Sequence, residues 1–493
     1  MTGVKEIERL PTGVPGLDLI LRGGFPRGGI HILQGPPGTG KTTLANQICY
    51  RHARAGQRAL YVTLLAESHS RMLVHLGTMR FFDPARLPEQ ISYVSGIGAL
   101  AADGLPGLIT LLRREIAAHQ AAIMILDGLV AAEDSARSDT EFKTFIQELQ
   151  AQAGLHGCTV FLLTTARGEA VPPEHTMVDG IIELTDVRYE SRTERGLFVK
   201  KLRGSDYLAG RHAFHISEDG LVVFPRIEAA FRITTRPDQV QNGRLSSGVE
   251  GLDAMLGGGL MEASVSGVIG GTGIGKTTLG LHFISQSSAA EPGLFLGFYE
   301  TPLRLMQQAA RLGLDLQGVV DRGHAEIRWQ PQGENHQDEL AHQLLEAVSS
   351  RGVKRLFIDG LGGFMESSVE PSRMSRFLSV LTNELRVRGI TTLYTLETRD
   401  VIGSGLEMPV GGISSLAEGI IALRFVERHS SARRLLSIVK MRGTNFDPAL
   451  REFVIVEGKG ISFTRSFEGA EELLAGFARE QTARPPSPAA EGR

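Results

Sequence analysis

The sequence predicts an α/β fold class: two tandem phosphate-loop domains, each a mainly parallel sheet flanked by helices. Two observations carry this. First, Gly35-Pro36-Pro37-Gly38-Thr39-Gly40-Lys41-Thr42 returns as Gly270-Gly271-Thr272-Gly273-Ile274-Gly275-Lys276-Thr277, with the lysines 235 residues apart (276 − 41). Both copies fit G-x-x-x-x-G-K-[ST], the loop whose backbone N–H groups wrap a nucleotide's phosphates. Second, apolar runs of strand length alternate with helical stretches in both halves, the pattern of parallel strands covered on both faces.

Taken in order, Ile30 to Gln34 is a short apolar run ending at the first loop, and a helix starts at about Thr43. Val265 to Ile269 plays the same strand role in the second half. Further β-rich runs span Ala59 to Leu64, Ile123 to Leu126, Thr159 to Thr164, Leu294 to Phe298, Leu356 to Ile358 and Thr391 to Thr395. Leu105 to His119 and Glu339 to Ser350 read as helices between them. Other landmarks repeat in the same order: Gly13-Val14-Pro15-Gly16-Leu17-Asp18 with Gly248-Val249-Glu250-Gly251-Leu252-Asp253, Gly23-Gly24 with Gly258-Gly259, and Lys201-Leu202-Arg203-Gly204 with Lys440-Met441-Arg442-Gly443. A repeat of this length means two globular domains, not a solenoid. We place them at 1–230 and 231–466, joined through the polar stretch Arg226 to Asn242, with a tail at 467–493. In the tail, Ala470 to Phe477 reads as a short amphipathic helix and Arg484 to Ala490 as disordered.

Composition narrows the function. A chain of 493 residues that is 42% hydrophobic can build two cores. A net charge of −3 without basic runs argues against nucleic acid as a partner. Cys49 and Cys158 stand apart from any metal or disulfide spacing, and the sequence has neither an 18-residue apolar run nor a signal segment, so a soluble cytoplasmic protein off the membrane is expected.

The chemistry is that of ATP and Mg²⁺. Gly35, Gly38, Thr39, Gly40 and Thr43 in one loop, and Gly270, Thr272, Gly273, Ile274, Gly275 and Thr278 in the other, are the nucleotide-binding candidates, with Lys41 and Lys276 charged toward the β- and γ-phosphates. Thr42 and Thr277 offer hydroxyls to the metal. Asp127 and Asp359 end apolar strands 86 and 83 residues after their lysines (127 − 41 and 359 − 276), where a carboxylate holds the metal directly or through water. Glu67 and Glu300 follow the next β-rich runs and are candidates to orient or deprotonate the attacking oxygen. Lys201 with Arg203, and Lys440 with Arg442, lie two apart on expected strands, far beyond their own loops; charges so placed can complete a neighbouring subunit's phosphate site, as arginine fingers do. No Asn-Lys-x-Asp guanine reader occurs, which disfavours GTP.

These motifs resemble the KaiC family of two-domain RecA-like ATPases, named for a cyanobacterial clock protein, from about Ile7 to Phe467. The resemblance implies RecA-like domains, a homo-hexamer of two stacked rings, ATP at subunit interfaces, and protein partners of the KaiB kind or other signalling proteins. It also implies autokinase activity in the second domain. Ser414 and Ser415, in Gly412-Ile413-Ser414-Ser415-Leu416-Ala417-Glu418, stand where the family carries its phospho-acceptors. The chain departs from the family in four places. The family's paired catalytic glutamates read Ala66-Glu67 and Tyr299-Glu300, Gly128 and Gly360 follow the aspartates where the family often has Ser, the second acceptor is Ser415 where the family has Thr, and the tail after Ser466-Phe467-Glu468 is short. The sequence thus leads to an ATP-hydrolysing hexameric switch with serine autophosphorylation. An ATPase of the same shape without kinase activity is the alternative, and a RecA-like DNA motor lacks the basic segments it would need.

Overall fold

Ile30–Gln34 (β1) is buried along its whole length, as a central strand of a parallel sheet must be, and it ends at the first phosphate loop. The computed structural model describes residues 7–65, 69–165, 173–189, 192–231, 243–331, 333, 335–398, 416–428 and 431–464. Contacts divide the chain into two units, 1–232 and 233–493.

In the first unit, β1 leads into Lys41–Arg54 (α1), then Ala59–Thr63 (β2), His69–Leu76 (α2), Ile91–Ser95 (β3), Ile97–His119 (α3), Ile123–Asp127 (β4), Asp139–His156 (α4) and Thr159–Thr164 (β5). Gly180–Tyr189 (β6), Arg192–Leu202 (β7), His212–Ser217 (β8) and Gly220–Phe224 (β9) complete a nine-stranded sheet of order β9-β8-β7-β6-β1-β5-β4-β2-β3. The strands from β6 through β1 to β3 pair in parallel, and β7, β8 and β9 continue the sheet antiparallel.

The second unit repeats this. Its elements are Val265–Gly270 (β10), Lys276–Ser285 (α5), Gly293–Gly297 (β11), Pro302–Arg311 (α6), Ala325–Trp329 (β12), Gln337–Ser350 (α7), Arg355–Asp359 (β13), Met374–Val387 (α8) and Thr391–Glu397 (β14). Gly419–Arg428 (β15), Ser431–Met441 (β16), Arg451–Val456 (β17) and Gly460–Phe463 (β18) follow, giving the order β12-β11-β13-β14-β10-β15-β16-β17-β18. The expected α/β architecture is what the chain adopts, twice.

The two-residue period of the strands builds the layers of the first unit. Tyr61, Ile125 and Phe161 face α1, where they join Leu44 and Ile48. Leu60, Val62, Met124, Leu126 and Leu162 face the opposite way, onto Leu112 and Ile116 of α3 and Phe145 of α4. Both faces are dry, so the C-terminal strand edge with its loops is where a ligand finds backbone groups.

The helix expected from Leu105 begins earlier, at Ile97, and breaks direction at Gly104, whose φ of 64° interrupts it just ahead of Pro106. Lys201 and Lys440 lie in β7 and β16 as expected, but Arg203 and Arg442 do not: each strand ends one residue earlier, at Leu202 and Met441, and the arginines sit in the following turns. Ala470 to Phe477 and Arg484 to Ala490 fall outside the described residues.

Candidate active site

Each phosphate loop closes onto the N-terminus of a helix, Gly40 leading into α1 and Gly275 into α5. Both glycines have left-handed backbone, φ 97° and 115°, and a Cβ on them would stand 2.4 Å from Ile216 Cδ1 and 2.9 Å from Ile455 Cδ1. Glycine is needed there so that the chain can turn its N–H groups toward an anion. Lys41 Nζ donates to Gly35 O at 2.7 Å and Pro36 O at 2.8 Å; Lys276 Nζ donates to Gly270 O and Gly271 O at the same two distances. Burial lowers the pKa of both lysines, and Asp127 beside Lys41, and Glu397 and Asp359 beside Lys276, pull it back up.

The loop threonines meet the strand-end aspartates. Thr42 Oγ1 donates to Asp127 Oδ2 at 3.2 Å, and Thr277 Oγ1 to Asp359 Oδ2 at 2.8 Å. Hydroxyl and carboxylate oxygens side by side form a hard-oxygen pair, the donor set that suits Mg²⁺. Burial pushes the Asp359 carboxyl up from its ordinary value, while the hydroxyls of Thr277 and Thr395 and the charge of Lys276 draw it down. A desolvated carboxylate of this kind is stabilised by a cation, so these residues fit the metal.

A second hydroxyl on each aspartate escaped sequence reasoning. In the first unit Tyr61 Oη donates to Asp127 Oδ2 at 2.7 Å; in the second, Thr395 Oγ1 donates to Asp359 Oδ1 at 3.0 Å. The donors come from opposite flanks. Tyr61 is on β2 and the matching β11 position is Phe295, whereas Thr395 is on β14 and the matching β5 position is Leu163. One unit has Tyr with Leu and the other Phe with Thr, so each strand-end aspartate keeps a second donor. Both runs carry several hydroxyl residues, ALYVT in one and TTLYTLE in the other, so nothing in the string singled out Tyr61 or Thr395.

The other loop candidates divide. Thr39 is buried and its hydroxyl donates to Pro36 O at 2.8 Å, holding the loop itself. Its counterpart Ile274 is buried in the core of the second unit, which leaves only its backbone facing a ligand. Thr43 is half-buried, Thr278 is buried and accepts from Gln308 at 3.5 Å, and Thr272 is exposed. Gly35 is buried within its loop, while Gly38 and Gly273 lie exposed on theirs.

Register corrects the pairing of the two glutamates. Thr63 and Gly297 are the strand-end residues opposite Asp127 and Asp359. Glu300 follows its strand by three residues (300 − 297) and Glu67 follows by four (67 − 63), so the counterpart of Glu300 is Ala66. The packing agrees, because Leu65 and Tyr299 occupy one place. A Cβ on Gly128 would lie 3.0 Å from Leu65 Cδ2, and one on Gly360 would lie 2.3 Å from Tyr299 Cε2. Those side chains, with φ of 100° and 91°, account for glycine after each aspartate. Glu300 is half-buried beyond β11; Glu67 falls outside the described residues, as do Ser414 and Ser415.

The Lys–Arg pairs converge away from their own loops. Lys201 Nζ donates to His175 O and Thr176 O at 2.9 and 3.2 Å, and Arg203 Nη2 to Thr176 O at 2.6 Å. Lys440 Nζ donates to Ala417 O at 2.8 Å. Burial first, then the adjacent arginine, lowers the pKa of each lysine. Arg203 N–H bonds to Asp179 O and Asp179 N–H to Ile30 O, which sets Arg203 level with the start of β1. The loop begins five residues on, at Gly35 (35 − 30), about 16 Å along the strand and beyond an arginine's extension. Arg442 stands likewise level with Val265, through Glu418.

Among the described residues no helix is long and apolar enough to cross a membrane, and no cluster of His, Cys, Asp and Glu could hold a metal by itself. Comparison with known proteins agrees with the geometry. The circadian clock oscillator protein KaiC of a Picosynechococcus species is 27% identical over 494 residues, covering 96% of this chain and 93% of that one. The protein of the same name from Rippkaea orientalis is 27% identical, covering 95% and 91%, and KaiC 1 of a Synechocystis species is 26% identical, covering 96% and 92%. The profile of the family described as ATPase: KaiC matches residues 10–228 and again 245–468. With one match on each unit, and a phosphate loop and strand-end aspartate inside both, the chain belongs to the KaiC family of ATPases.

Proposed function

We propose that this chain is an ATP-hydrolysing switch that assembles as a homo-hexamer, uses Mg²⁺ at both sites and phosphorylates itself on Ser414 or Ser415. The observation that carries the hydrolysis reading is the intact Lys–Thr–Asp set in both units, Lys41–Thr42–Asp127 and Lys276–Thr277–Asp359. Lys41 and Lys276 neutralise the phosphates, the threonine and aspartate hold the metal, and Glu300 orients the acceptor or water in the second site, with Glu67, one residue out of register with it, as a candidate in the first. The metal, when bound, supplies charge neutralisation on the β- and γ-phosphates.

Assembly is supported by the Lys–Arg pairs. Arg203 and Arg442 lie too far from their own loops to serve them, so their catalytic use is on a neighbour's nucleotide, with Lys201 and Lys440 beside them. The described residues on either side of the serine segment lie at opposite ends of the sheet. Thr398 N–H bonds to Gly270 O at the loop end, whereas Glu418 N–H bonds to Val265 O at the far end, only three residues after Ser415 (418 − 415). Phosphoryl transfer to these serines would run between subunits, and about two negative charges on either would shift an interface equilibrium. The relatives carry the name of circadian clock oscillators; for this chain we propose a cytoplasmic role as a switch read by signalling proteins of the KaiB kind.

Light scattering with and without Mg-ATP tests assembly, with hexamers expected with the nucleotide and smaller species without it. Incubation with γ-labelled ATP followed by peptide mapping tests the kinase, with label expected at Ser414 or Ser415 and lost in Glu300→Gln. A monomer at saturating Mg-ATP refutes the interface reading. Unlabelled serines after long incubation leave the signalling ATPase without kinase activity.

A further inference from the structure

We infer that the first unit carries a hydroxyl–imidazole dyad, Thr63 with His69, that accepts the proton of the attacking water during ATP hydrolysis at that site. This rests on the hydrolysis reading above and assigns its base.

Thr63 is the last residue of β2 and the parallel-register partner of Asp127. It is two residues past Tyr61, whose hydroxyl already bonds Asp127, so its side chain leaves the strand on the Asp127 side. His69 opens α2, and its Nε2 lies 3.2 Å from Thr63 Oγ1. The imidazole also leans on the Tyr93 ring at a centroid distance of 5.9 Å, and Tyr93 Oη donates to Asn46 Oδ1 while Asn46 Nδ2 donates to Thr42 O. The dyad is therefore tied through one chain of contacts to the loop threonine, and through the strand register to the aspartate.

The two units are complementary here. At the register position three past the strand end the second unit has Glu300, where the first has Ala66. At the strand end and six residues beyond it the second unit has Gly297 and Leu303, where the first has Thr63 and His69. Leu303 is 68% exposed, so the second unit has neither hydroxyl nor imidazole at that place. The site that lacks a carboxylate in register is the one that gains the dyad.

In the step assigned, the water oxygen bonds to the γ-phosphorus as the bond from that phosphorus to the bridging oxygen breaks, its electron pair leaving on the β-phosphate of ADP. The water proton passes to Thr63 Oγ as the Thr63 proton passes to His69 Nε2, and the imidazolium then returns its proton to solvent. Burial lowers the pKa of His69, which keeps the ring neutral and able to accept. Among the described residues the titratable group in contact with the ring is Tyr93 on β3, while Tyr61, on the same strand as Thr63, bonds Asp127. As pH falls the ring takes up a proton and turnover at the first site declines, with a midpoint below the ordinary imidazole value.

The test uses the full chain with Lys276→Ala, so that turnover reports the first site, measuring phosphate release from Mg-ATP across pH and nucleotide binding by a fluorescent ATP analogue. We expect His69→Gln and Thr63→Val each to lower turnover about a hundredfold with binding retained, His69→Gln to abolish the acid limb, and Thr63→Ser to keep the activity. Turnover and pH profile unchanged in His69→Gln, or activity lost in Glu67→Gln while His69→Gln retains it, overturns the dyad alone. A Lys276→Ala parent that binds ATP without releasing phosphate overturns first-site hydrolysis, and the dyad with it.

Discussion

The exchange of hydroxyls around the aspartates can be tested by copying one unit into the other. Tyr61→Phe reproduces Phe295 and removes one of the donors to Asp127, at 2.7 Å. A hydrogen bond to a charged group is worth about 1.5–3 kcal/mol, so the first unit should lose roughly that much stability. Leu163→Thr reproduces Thr395 on the other flank, and alone it should cost about 1–2 kcal/mol of lost apolar burial. Combined, the new threonine hydroxyl takes over the bond that tyrosine made, and the double variant should be more stable than the sum of the two losses by at least about 1 kcal/mol. Hydrogen exchange of Ala59–Thr63 and Ile123–Asp127 during a urea series reports the first unit. Trp329, the chain's single tryptophan, lies in the second unit, and its fluorescence transition should stay put. Additive losses, or a Tyr61→Phe variant as stable as the parent, would refute the claim that the two arrangements are interchangeable.

Replacing Arg203 or Arg442 by Ala should cut turnover far more than ATP binding, since a finger acts on the transition state; equal losses in both would contradict that role. Lys41→Ala should impair first-unit ATP binding and assembly, while Lys276→Ala should abolish serine labelling with assembly largely kept, as read by light scattering and γ-label incorporation. His31 is fully buried with its pKa lowered to about 4, first by desolvation. Below pH 6.5 the unfolded chain takes up a proton that the folded first unit refuses, so stability falls as pH drops from about 6.5 to about 4, by about 2 kcal/mol at pH 5. His31→Ser, which copies Ser266, should flatten this loss in denaturation midpoints measured at pH 7 and pH 5.

The fold and the phosphate chemistry were legible because each depends on pattern. A loop of fixed spacing between an apolar strand and a helix has few other uses, and its repetition in the sequence matched Lys41, Thr42 and Asp127 with Lys276, Thr277 and Asp359. What the sequence hid depends on register. Glu67 and Glu300 look equivalent in a string, and only pairing of Thr63 with Asp127 and Gly297 with Asp359 separates them by one residue. Tyr61 and Thr395 were invisible for a related reason: a hydroxyl in an apolar run reads as core until the neighbouring strand brings a carboxylate to it. The arginines of the K-x-R segments were expected on strands, because alternation cannot say where a strand stops. The helix expected from Leu105 was begun too late because the chain is helical on both sides of the break at Gly104.

Phosphate release from Mg-ATP by the parent, Lys41→Ala, Lys276→Ala and the double variant tests the two-site ATPase account most directly. The account predicts that each single variant retains part of the parent's turnover and that the double variant retains essentially none. A double variant that hydrolyses ATP at the parent's rate would contradict it.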